Sequence, residues 1–117
     1  MSAAPWEAAL REVTGVAGVV GALVISADDG LVVAESAIDE LATADIAALA
    51  AAVLSRAARC ADAMRQPRPD SVQLVGDLGA LMAVAGPDPL WLVAVARGDA
   101  ELGRLRLMLR DFAGTLD

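Results

Sequence analysis

The run Val19-Val20-Gly21-Ala22-Leu23-Val24-Ile25-Ser26 constrains this chain more than any other stretch. Ala27-Asp28-Asp29-Gly30 follows it, and then Leu31-Val32-Val33-Ala34-Glu35-Ser36. Asp-Gly between two runs rich in β-branched residues is a strong hairpin signal, because a tight turn needs backbone angles that Gly and Asp tolerate. The first of these strands does not alternate polar with apolar side chains. A strand that is apolar on both sides is covered on both sides. Helices are therefore expected on each face of the sheet to which this hairpin belongs.

The helices are read from their period. Pro5 suits a first helical turn, where its missing N–H costs nothing. Trp6, Ala9, Leu10 and Val13 then share one face, with Glu7 and Arg11 paired outside and Gly15 as the stop. A longer helix is predicted from Thr43 to Arg65, with Thr43 as its N-cap and Asp45 near its positive end. Ile46, Leu49, Ala50, Val53, Ala57, Cys60 and Met64 make the face assigned to the core. Ala47, Ala51, Leu54 and Ala58 form the adjoining flank, and Ala48, Ala52, Ser55, Arg59 and Asp62 the outermost stripe. One sheet contact does not require so wide an apolar surface, which implies a second packing partner for this helix.

Gln66-Pro67-Arg68-Pro69-Asp70 breaks the helix. Three short strands are expected next: Ser71 to Val75, Leu78 to Ala85 and Leu90 to Ala96. Gly76-Asp77 and Gly86-Pro87-Asp88-Pro89 join them, lengths that suit antiparallel neighbours. Gln73 marks the first as an edge strand; the last, apolar on both sides, belongs in the centre. A closing helix has Asp99 as its N-cap and Leu102, Leu105, Leu109, Phe112, Ala113 and Leu116 on one face, with Arg104 and Asp111 opposite. The order is α-β-β-α-β-β-β-α in an α/β (α+β) fold. The 117 residues suit a single domain spanning 1–117, with no repeat or linker.

Composition excludes several kinds of chemistry. There is no His, so imidazole cannot serve as a general base. There is no Lys either, which removes Schiff-base chemistry and the phosphate-gripping lysine of a P-loop. One cysteine makes no internal disulfide and, without His, no structural zinc site. Catalytic, cofactor-binding and metal-binding residues are accordingly expected to be none. A net charge of −7 repels phosphate backbones, so no nucleic-acid partner is expected. The longest apolar stretch, Val13 to Ile25, is too short to span a bilayer, and the N-terminus lacks the marks of a secretory signal. A cytoplasmic location without membrane insertion is the expectation.

Several short motifs have ordinary structural explanations. Gly15, Gly18 and Gly21 lack the spacing of a phosphate loop and fit a helix stop, a loop and close backbone packing. Asp28 and Asp29 are turn residues, and Arg97-Gly98-Asp99 is a coincidence combined with helix capping. Cys60 is expected to face the core as a small apolar residue. Among the arginines Arg59 stands apart, because it sits outward amid small residues where a partner can reach it.

Gly18-Val19-Val20-Gly21-Ala22-Leu23-Val24-Ile25, the Asp29-Gly30 turn, Leu31-Val32-Val33-Ala34 and Ser36 resemble the opening of the Roadblock/LC7 family. The Ala-rich long helix and the ending Leu102-Gly103-Arg104-Leu105-Arg106-Leu107-Met108-Leu109-Arg110 are similar too. The resemblance runs roughly from Leu10 to Leu116. It implies a three-layer sandwich: a five-stranded antiparallel sheet with the long helix on one face and the terminal helices on the other. It also implies dimers in which the strand after the long helix pairs with its mate and the long helices lie side by side. The implied homodimer interface is Ala47, Ala51, Leu54 and Ala58 with Val72, Gln73, Leu74 and Val75.

The family's bacterial, MglB-like members bind a small Ras-like GTPase and stimulate its hydrolysis in cell polarity and gliding motility; others are adaptors. Arg-only, Ala-rich composition favours the bacterial type. The resemblance thus implies a non-enzymatic dimeric regulator or adaptor. It would bind a small Ras-like GTPase through Ala48, Ala52, Ser55, Arg59 and Asp62 and modulate its nucleotide cycle or location. The alternative is a purely structural dimerisation scaffold without a nucleotide-dependent partner. The short C-terminus separates this chain from the gliding-motility regulator and bears on GTPase activation more than on GTPase binding.

Overall fold

The computed structural model of the protein describes residues 4–38 and 40–115. Its elements are α1 (Ala4–Thr14), β1 (Val19–Ser26), β2 (Leu31–Ala37), α2 (Thr43–Ala63), β3 (Ser71–Val75), β4 (Gly79–Ala85), β5 (Leu90–Arg97) and α3 (Leu102–Gly114). The five strands form one antiparallel sheet in the order β2-β1-β5-β4-β3. As expected, β5 is central and β3 is an edge. The hairpin forms at the expected place, with Ser26 opposite Leu31 and Val24 opposite Ala34. Gly30 closes it at φ 71°, and the Leu31 N–H donates to Asp29 Oδ1 at 3.2 Å. Gly30 has a second reason to be glycine: a Cβ there would lie 3.2 Å from the Cα of Ala48, so the turn rests on α2.

One face of the sheet is closed by α1 and α3. Leu10 and Val13 from α1 and Leu105, Leu109 and Phe112 from α3 meet Val24, Met82, Val84 and Leu92 in the larger of two cores. The expected apolar faces of both helices are the ones used. The Gly15 N–H donates to the Arg11 carbonyl at 3.0 Å, ending α1. The start of α3 differs from expectation. Glu101 holds the N-cap position, with no side-chain cap, and the helix begins at Leu102. Asp99 lies inside a turn closed by Ala100 N–H donating to the Arg97 carbonyl at 3.1 Å, which places it too early to cap. Leu116 lies outside the described residues.

The other face is covered by α2 alone, and here the sequence expectation needs correction. The buried residues of α2 are Ala47, Ala50, Leu54 and Ala61, the first three packed with Leu23, Ile25, Ala83 and Val93. Leu49 is 68% exposed, Met64 is 61% exposed and Cys60 is exposed. The helix is thus rotated from the phase that its larger side chains suggest. The sheet already supplies bulky Leu23, Ile25 and Val93, so close packing is reached by bringing alanines against it. Thr43 is the first helical residue; the N-cap position is Ala42, which has no side-chain bond to offer.

At its other end α2 finishes in a left-handed cap. Arg65 has φ 58°, its N–H donates to the Asp62 carbonyl at 3.1 Å, and the Gln66 N–H reaches back to the Ala61 carbonyl at 2.9 Å. This is the pairing of a Schellman motif, with Arg where Gly is usual.

Candidate interaction surfaces

The single helix on its face of the sheet lies nearest β1 and β2 and also packs on Val93 of β5 and Ala83 of β4. The far end of β4 and β3 on that face is left uncovered. Val95 pairs with Leu81, and Leu81 with Leu74, so these three form one row across the sheet. With Val20, Val75 and Leu78 they line an open concavity of about 800 Å³. Leu78 is 91% exposed and Val75 65%. β3 pairs only with β4, so its outer backbone groups are free. On α2 the side that carries Leu49, Val53 and Cys60 also keeps exposed apolar surface, Leu49 and Cys60 most of all.

This arrangement divides the expected dimer residues. Gln73, Leu74 and Val75 are exposed on the free edge, and Val72 is half-buried. Ala47 and Leu54, by contrast, are buried in the protomer's own core and have no surface to offer a partner. Ala51 and Ala58 are half-buried on the side of α2 remote from Leu49 and Val53. Of the face expected in the core, Ala50 is buried and Ile46 packs on that core, whereas Leu49, Cys60 and Met64 are exposed and Ala47 and Leu54 take their place inside.

The second set, Ala48, Ala52, Ser55, Arg59 and Asp62, is exposed throughout. It is not the outermost stripe. At 3.6 residues per turn the ridge opposite Ala47, Ala50, Leu54 and Ala61 carries Asp45, Ala52 and Arg56. Ser55, Arg59 and Asp62 instead line a cleft of about 490 Å³ between α2 and the β1–β2 and β4–β5 turns. Asp28, Arg68, Asp88 and Trp91 complete its walls. Among the described residues the one ion pair is Arg110–Asp70, at 3.4 Å on the opposite face of the sheet, so the charged groups of the cleft are not neutralised by one another.

Chain position gave no signal for Asp28, Arg68, Asp88 and Trp91 as a group, because only the fold brings those three connections together. Among the described residues no three His, Cys, Asp or Glu side chains gather as a metal-binding group. Nor, among the described residues, is any helix long and apolar enough to cross a membrane.

A sequence profile described as the Roadblock/LC7 domain matches residues 6–96. Comparison with curated proteins finds no match. Among solved structures, a Roadblock/LC7 domain from Streptomyces avermitilis is similar at a TM-score of 0.86 and 18% identity, over 94% of this chain and 92% of that one. An MglB described as having a tetrameric arrangement is similar at 0.87 and 24% identity, over 99% and 90%. The gliding protein MglB from Thermus thermophilus is similar at 0.85 and 22% identity, over 97% and 88%. At such identities the likeness is one of fold.

Proposed function

Because the chain belongs to the Roadblock/LC7 family, we propose that it is a non-enzymatic, dimeric regulator that binds a small Ras-like GTPase and modulates its nucleotide cycle or location. The observation that carries this reading is the division of α2 into two unlike sides. The apolar side, together with the open β3 edge, suits a second copy of the chain. Leu74, Val75 and Leu78 would be an aggregation hazard if left bare, and pairing of two β3 edges removes it. The other side, with small residues at Ala48 and Ala52 and unpaired charges around the Ser55–Arg59–Asp62 cleft, suits a partner of different kind.

Small residues let a switch segment approach the helix backbone closely, and Arg59 and Asp62 fix its register by charge. Switch segments rearrange with the bound nucleotide, so binding favours the GTP-like state. The cleft holds no nucleophile beside a base. Any stimulated hydrolysis then comes from repositioning the GTPase's own groups, with Arg59 as an inserted finger the lesser route.

The test is calorimetric titration with each small Ras-like GTPase of the source genome, charged with GTPγS or with GDP. The expected result is binding to the GTPγS form, weakened at least about tenfold by Ser55→Glu in the cleft while self-association is unchanged. Undiminished binding by Ser55→Glu means docking elsewhere. Binding indifferent to nucleotide, or none, means that the chain is a structural scaffold.

A further inference from the structure

The sheet ends in two free edges that are built differently. Along β3 every residue opposes one residue of β4, with no shift in register. No charged side chain stands on that strand, and Gln73, Leu74 and Val75 are exposed. The other edge, β2, departs from regularity. Val32 opposes Ile25 and Ala34 opposes Val24, so Val33 is an extra residue with no partner in β1.

Burial holds this bulge in place. In a regular strand, residues two apart share a face. Here Val32 packs with Ile25 on the core beneath α2, whereas Ala34 is buried with Val24 in the larger core beneath α1 and α3. Pairing Val33 by a slip of register would pull one of them out of its core. A bulge bends an edge and breaks the even line of amides and carbonyls that a further strand needs.

Glu35 adds a charge two positions on. Its cross-strand partner is Leu23, which is fully buried, so the carboxylate stands at the margin of the core beneath α2. Glu35 is exposed, and among the described residues no arginine pairs with it. A strand laid along this edge would strip water from that carboxylate. A second copy of β2 would also bring its own Glu35 close to the first.

We propose that β2 is a closed edge: Val33 and Glu35 bar a further strand, from a second copy or from any other chain, and leave the sheet one open edge per protomer. This edge lies opposite the dimer contact proposed above, so its closure stands without that dimer. A chain with one open edge stops at two copies, whereas a chain with two grows into a linear polymer. The closure also contains a hazard, because Leu31 is 62% exposed and Val33 39%.

Opening the edge tests it. Deletion of Val33 leaves Val32 and Ala34 adjacent and on opposite faces, as a regular strand requires, and Glu35→Thr removes the charge. By light scattering the doubly altered full chain should be at least about twofold heavier than wild type at equal concentration. Adding Val75→Lys, which sets a charge on the β3 edge, should hold that chain at a dimer joined through β2. A doubly altered chain with native circular dichroism and wild-type mass overturns the closed edge, as does a monomer once Val75→Lys is added. A monomeric wild type overturns the dimer proposed above instead, and the doubly altered chain then gains a single association step.

A second measurement needs no altered chain. Hydrogen exchange on the wild type at rising protein concentration should leave the outward amides of β2 unprotected throughout. Protection that grows there with concentration overturns the closed edge.

Discussion

The two faces of the sheet are closed to different degrees by different means. Two helices cover most of one face with large side chains, among them Leu10, Leu105, Leu109 and Phe112, leaving Gln73 and Val75 of the β3 edge exposed there. One helix covers the other through Ala47, Ala50, Ala61 and a single leucine, Leu54. It reaches Val93, Ala83 and Val72 but leaves Leu74 of that face, and Leu78 beyond the strand, in the open. The difference teaches where stability and where recognition reside. The first layer is largely finished within the protomer. The second is thin, brings backbones close together and has apolar surface left over, which on the reading proposed above a second copy covers.

Core truncations give the largest expected effects and test the contrast directly. Leu105→Ala should destabilise the chain by about 3–5 kcal/mol, because a fully buried leucine leaves a cavity among neighbours held by two helices. Leu54→Ala, beside the open cleft, should cost less, about 2–3 kcal/mol. Urea denaturation of both variants decides between them, and equal losses would mean that the two faces are equally closed.

A charge at the exposed edge sharpens the same contrast. Val75→Lys should leave the stability of the single chain within about 0.5 kcal/mol. It should weaken self-association at least about tenfold, because each new charge lands on an apolar strand edge that pairing of two copies would bury. Light scattering across a dilution series reads the second effect. A strong dimer in this variant would take β3 out of the interface.

The smallest effect concerns the end of α2. Arg65 occupies a left-handed position that glycine fills more cheaply. Arg65→Gly should raise stability by about 0.5–1 kcal/mol, measured by thermal unfolding. A loss instead would mean that the Arg65 side chain makes a stabilising contact that outweighs the backbone strain.

Much of the fold is legible in residue order. The Asp29-Gly30 turn fixes the hairpin, Gly15 ends α1, and the unbroken apolar runs of β1 and β5 announce layers on both faces. The phase of α2 is not legible, for a physical reason. A helix with alanines on several sides and larger apolar residues on one presents two plausible faces, and period alone favours the larger. Which face turns inward depends on the space left above Leu23, Ile25 and Val93, a tertiary fact. Cys60 and the paired roles of Ala47 and Leu54 follow that rotation. Thr43 and Asp99 miss the cap positions by short displacements, because the preceding chain settles the helix start. Of the candidate partner site, the exposure of Ala48, Ala52, Ser55, Arg59 and Asp62 was legible, and the cleft that Ser55, Arg59 and Asp62 share with Asp88 and Trp91 was not.

The central claim is that a second copy completes the thin layer along β3, and the sheet's two free edges allow a test within one molecule. Both β2 and β3 pair on one side only in the protomer. Residue-resolved hydrogen exchange on the wild-type protein, at concentrations well above its association midpoint, compares their outward-pointing amides. The account predicts that those of β3 are protected like amides within β4, while those of β2 exchange as freely as solvent-facing amides do. Equal, rapid exchange at both edges would contradict it.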